Sequence, residues 1–147
     1  MLDELDRGLR ERLPDLALLA QLPEFNEKGY EAWVRIPVPD RDGHEIGLRV
    51  SEIDVEVHYS DGRADHGHAE KLFVGTKEEA RGISQAATDF LASLIDERVV
   101  VVRYRTPILI KLLSPRMVRA SLKFLGAWAL PRDTYDAVWS WRGTHDR

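Results

Sequence analysis

Leu2, Leu5, Leu9 and Leu13 recur at spacings of three and four residues, so they fall on one stripe of an α-helix. Asp3 and Glu4 stand in its first turn, where the helix dipole favours negative charge. Pro14 removes a backbone donor and ends or kinks this helix. DLALLAQL restarts it with Asp15 near the new N-terminus, before PEFNEKGY turns the chain. From Ala32 the period shortens to two. AWVRIPV alternates in part, Asp42-Gly43 supplies turn chemistry, and IGLRV and SEIDVEVHY follow as strands. In the last of these Ile53, Val55, Val57 and Tyr59 share one face and Asp54, Glu56 and His58 the other. One buried and one wet face suit an antiparallel meander.

Asp61-Gly62 is a second hairpin signal, since this pair supplies the positive φ angles of a two-residue turn. That loop sets His58 opposite Asp65, Val57 opposite His66 and Val55 opposite His68. His66, His68 and Glu70 then join the face of Val55, Val57 and Tyr59. After KLFVG, Thr76 caps a helix and Glu79 reaches back to close a capping box. Ala80, Ile83, Ala86, Ala87, Phe90, Leu91, Leu94 and Ile95 form its wide apolar stripe, a face meant for a sheet. VVVVRYR reads as an interior strand covered on both faces. Thr106-Pro107 interrupts it, and ILIKLL is open to either strand or helix. Ser114-Pro115 opens a helix through RMVRASLKFL that Gly126 can end, and PRDTYDAVWSW reads as a short helix on the core. The expected fold is α+β over a single unit, residues 1–147: an antiparallel sheet of about four to five strands, one long helix packed across it, and helical N- and C-termini.

Composition narrows the chemistry. With 147 residues, 44% hydrophobic and 31% charged, the chain can bury a core without staples. No apolar run approaches the ~20 residues of a membrane helix. MLDELDRGLRERL has no apolar h-region, so the expectation is a cytoplasmic protein. Zero cysteines excludes disulfides, thiol catalysis and thiolate metal sites. Charge is unevenly spread: ten Lys or Arg face three Asp or Glu from Arg98 to Arg147, and eleven face twenty-two before it. The two halves either neutralise each other or leave an acidic surface for a basic partner.

Four groups of residues are candidate sites. Asp54, Glu56, His58, Asp61 and Asp65 form an acidic strand and hairpin that could hold a protein. His66 and His68 alternate on a strand with Glu70, a spacing that could hold one divalent metal ion, the one cofactor considered. Arg116, Arg119 and Lys123 share a helical face that could track a nucleic acid backbone. Phe124, Trp128, Tyr135, Trp139 and Trp141 are core residues or an oligomer surface. Lys77 at a helix start is a weak anion site that capping alone explains. No nucleophile motif is present.

The small size, acidic front half and lack of catalytic motifs are similar in type to bacterial immunity and antitoxin proteins, a likeness that no motif carries. What that implies is a cytoplasmic binding module holding a basic toxin or nuclease. The alternatives are a metal-dependent hydrolase at His66, His68 and Glu70, and a nucleic-acid binder through the basic C-terminal third.

Overall fold

The computed structural model describes residues 1–62, 69–105, 108–113, 135–144 and 146. Helix α1 runs over Leu2–Arg12 and buries Leu5 and Leu9. Pro14 takes the first position of α2, Pro14–Leu19, where its missing N–H is not needed. Five strands follow: β1 Glu24–Phe25, β2 Ala32–Pro37, β3 Glu45–Val50, β4 Asp54–Ser60 and β5 Ala69–Val74. They lie in one sheet in chain order, and the pairs from β1 through β4 are antiparallel. A single 3-10 turn, Lys77–Glu79, leads into α3, Ala80–Ile95. The capping box is present: the Thr76 N–H donates to Glu79 Oε2 at 2.8 Å. Lys77 pairs with Glu52, so its charge is already matched.

The chain divides into two compact units, residues 1–63 with 70–92 and residues 64–69 with 93–147. In the first, one face of the sheet makes the core. Ile36, Ile46, Leu48, Val55 and Val57 are fully buried there, with Leu5, Leu16 and Leu91 from the helices. Each such side chain contributes about 1.5–3 kcal/mol by leaving water. Helices α1 and α3 approach closely at Gly8, where a Cβ would stand 3.1 Å from Thr88 Oγ1. Two polar residues inside the α3 stripe, Ser84 and Thr88, are also buried. The Thr88 hydroxyl donates to the Ser84 carbonyl at 2.8 Å, so it needs no outside partner.

Val55, Val57 and Tyr59 are buried as their alternation predicts, whereas Ile53, at the strand's start, is exposed. Just before β4 the backbone contact differs from the one a two-residue loop predicts. Gly75 donates to the Ile53 carbonyl at 3.0 Å, where a two-residue loop would set Glu70 opposite Ile53. Residues 63–68, with His66 and His68, lie outside the described residues, so the expected pairing of the two histidines is not among what the structure describes.

The two Asp-Gly turns pack against each other. Gly43 and Gly62 both adopt positive φ, and a Cβ on Gly62 would stand 2.6 Å from the Gly43 carbonyl oxygen. Only glycine fits there, on conformation and on space.

The second unit holds a three-stranded sheet in the order β7-β6-β8: β6 is Val100–Arg105, β7 Ile108–Leu113 and β8 Tyr135–Trp139. The valine run is the central strand, as its continuous apolar character predicts. Tyr135–Trp139 corrects the expectation of a helix at the C-terminus. It pairs antiparallel with β6, Val101 opposite Trp139 and Tyr104 opposite Tyr135, with an irregularity at Arg103/Tyr104. Tyr, Val and Trp favour a pleated surface, and a partner strand distant in sequence settles what five residues of local pattern could not. The helix expected through RMVRASLKFL lies outside the described residues.

Candidate functional site

The face of the first sheet opposite the core carries a connected polar network. Trp33, Arg49 and Glu56 stand in one cross-strand row and Arg35, Gly47 and His58 in the next. Arg49 Nε donates to Glu56 Oε2 at 2.6 Å and its Nη1 donates to Glu31 Oε1 at 3.0 Å. His58 Nε2 lies 3.3 Å from Glu56 Oε2, and the His58 ring packs against Trp33 with centroids 5.1 Å apart. Arg35 donates to Glu45 at 2.8 Å. Glu56 and His58 are each only 14% exposed. Burial pushes the Glu56 carboxyl up, but the Arg49 hydrogen bond and the charges of His58 and Arg49 outweigh it and hold its pKa below the ordinary carboxylate value. The same hydrogen bond raises the Arg49 pKa, against the opposing effect of burial.

Of the residues expected to face a partner, the structure brings Asp54, Glu56 and His58 together on this face, half-buried, with Glu56 paired to Arg49. One Asp54 carboxylate oxygen is buried with no hydrogen-bond partner among the described residues. Asp61 is 7% exposed. Asp65, His66 and His68 lie outside the described residues, as do Arg116, Arg119, Lys123, Phe124 and Trp128; Glu70 and Tyr135 belong to the strands β5 and β8. Trp139 and Trp141 are half-buried. His44, which carried no motif, holds the hydroxyl of the buried Tyr59 at 2.9 Å from its Nδ1. Among the described residues no group of three or more His, Asp or Glu could hold a metal ion.

A different surface is left open. Every residue from Gln21 to Tyr30 is exposed. Leu22 is 90% exposed, Leu18 83%, Tyr30 69% and Phe25 62%. The segment is nevertheless anchored: Gln21 donates to the Arg35 carbonyl at 2.8 Å, β1 pairs with β2, and Asn26 Oδ1 accepts from the Tyr30 N–H at 3.0 Å. Asp15 and Glu27 have no ion pair among the described residues, and Glu24 meets Arg35 only at 3.9 Å. The pattern predicts a turn over PEFNEKGY and carries the second helix through Gln21 and Leu22, whereas α2 ends at Leu19. The available signal was a leucine and a phenylalanine inside a polar run.

In the second unit Glu97 organises the chain's end. It adopts φ 57°, rare for a residue with a side chain. Its carboxylate accepts the N–H groups of Arg142 at 2.8 Å and Thr144 at 3.3 Å. Partial burial opposes ionisation, but hydrogen bonds from the Thr144 and Ser140 hydroxyls and these two N–H groups overcome it and bring its pKa to about 2. This is a structural clamp. Among the described residues no helix is long and apolar enough to cross a membrane. No family model, curated protein or solved structure matches the chain.

Proposed function

We propose that the chain is a cytoplasmic protein-binding module of the immunity or antitoxin kind, which holds a basic toxin or nuclease through an acidic and apolar surface. The observation that carries this reading is the open segment Gln21–Tyr30 with Leu18 beside it in the chain, where large apolar side chains stand in water among Asp15, Glu24 and Glu27. Aromatic and leucine side chains there supply the desolvated centre of an interface, and the carboxylates supply the steering field. The acidic residues of β4 support the surface from within, because Arg49 already takes the Glu56 charge.

The test is association of the purified chain with a panel of immobilised basic nucleases, followed by surface plasmon resonance at low and physiological salt. The reading expects at least one partner whose on-rate falls steeply with salt and whose binding is lost in Glu24→Lys/Glu27→Lys. Absence of binding at low salt, or binding indifferent to the reversal, overturns it.

A further inference from the structure

Behind the open segment lies a groove of ≈ 270 Å³ in the first unit. Leu2 and Leu9 of α1 line one side and Ala20 and Leu22 the other, with the buried Val34 and Leu48 of the sheet also lining it. Its charged lining residues are Asp3, Asp6 and Arg10. Arg10 Nε is taken by Asp6 at 2.8 Å, so Asp3 is the one lining charge without an ion pair among the described residues. The groove arises at the break between the helices: Pro14 ends the hydrogen bonding of α1 and the chain changes direction at Leu13.

We infer that this groove is the receptor for a single large apolar side chain carried on a Lys- or Arg-rich segment of the partner protein. The inference rests on the binding-module reading and names the site at which the anchor docks. Two observations choose this occupant. At ≈ 270 Å³ the groove is smaller than the ~300–1,000 Å³ of sites that enclose drug-sized ligands, yet it suits one anchor residue entering a pocket. Its lining is apolar apart from Gln21 and those three charged residues, and a cation beside the anchor would find Asp3 unmatched.

The experiment is selection of a phage-displayed library of random peptides against the intact protein, followed by calorimetric titration of the enriched sequences. Two variants discriminate: Ala20→Trp fills the groove, and Asp3→Lys reverses its charge at an exposed position in the first turn of α1. Expected are peptides sharing one bulky apolar residue flanked by Lys or Arg. Their affinity falls about tenfold or more in Ala20→Trp and when the peptide anchor becomes Ala, and about threefold or more in Asp3→Lys. Near-ultraviolet circular dichroism establishes that both variants are folded; an unfolded Ala20→Trp leaves the decision to Asp3→Lys and the peptide anchor. Peptides without the anchor-and-cation pattern, affinities unchanged in the folded variants, or peptides that dissociate a dimer of the chain overturn the inference. If basic nucleases still bind and still respond to Glu24→Lys/Glu27→Lys, the groove is wrong and the binding-module reading stands. If nothing binds in either experiment, both fall.

Discussion

Two acidic regions of the first unit have opposite fates. On β4, Asp54 and Glu56 sit half-buried beside Arg49, with His58 packed on Trp33. Along residues 15–30, Asp15 and Glu27 are exposed, as are Leu22 and Phe25, and no cation pairs with either carboxylate among the described residues. Composition treats the two alike. Cross-strand register separates them, because it sets Arg49 directly opposite Glu56 and nothing equivalent opposite Glu27. The fold thus supplies a counter-ion to one acidic stretch and, among the described residues, none to Asp15 or Glu27 in the other.

The largest test of this contrast is at the end of β4. Gly62→Ala should lower the unfolding free energy by about 2–3 kcal/mol, since it meets both a positive φ and the Gly43 carbonyl. Urea denaturation measures it, and a change under about 0.5 kcal/mol would show that the two turns are not locked together. Next, Arg49→Met should cost about 2 kcal/mol by leaving Glu56 and Glu31 unmatched on a half-covered face. Adding Glu56→Gln should recover part of that loss. Additive costs in the double variant would deny the pair any coupling.

Acid should sharpen the contrast further. Glu97 and Glu56 both have folded pKa values below the ordinary carboxylate value, Glu97 at about 2. Each therefore contributes stability that is present above the unfolded pKa of ~4.3 and is lost as pH falls through the folded value. Glu97→Gln should flatten the decline in stability between about pH 4.5 and 2. Equal acid profiles for Glu97→Gln and the parent would remove the clamp. The smallest effect belongs to the open segment: Leu22→Ser and Phe25→Ser should each change stability by no more than about 0.5 kcal/mol. A loss above 1 kcal/mol would mean that these side chains are packed in solution.

Much of the framework is legible along the chain because its signals are local. Pro14 splits the first helix, Thr76 and Glu79 box the start of α3, Asp42-Gly43 turns β2 into β3, and alternation in β4 chooses its buried face. What was not legible depends on contacts distant in sequence. Tyr135–Trp139 is a strand because β6 is there to pair with it. Arg49 becomes the centre of the polar face only once register sets it against Glu56, although an opposite-charge pair across two predicted strands was a signal open to use. Leu22 and Phe25 look like any apolar residues until the fold leaves them without a covering layer. The α1–α2 groove has no sequence signature at all.

The central claim is that residues 15–30 face a partner while the β4 stripe serves the fold. One paired measurement tests it most directly: unfolding free energy and binding to a basic nuclease, compared for Glu24→Lys/Glu27→Lys and for Glu56→Lys. The account predicts that the first variant keeps its stability and loses binding, and that the second loses stability as Arg49 meets a like charge. Retained binding in the first variant, or a Glu56→Lys variant as stable as the parent, would contradict it.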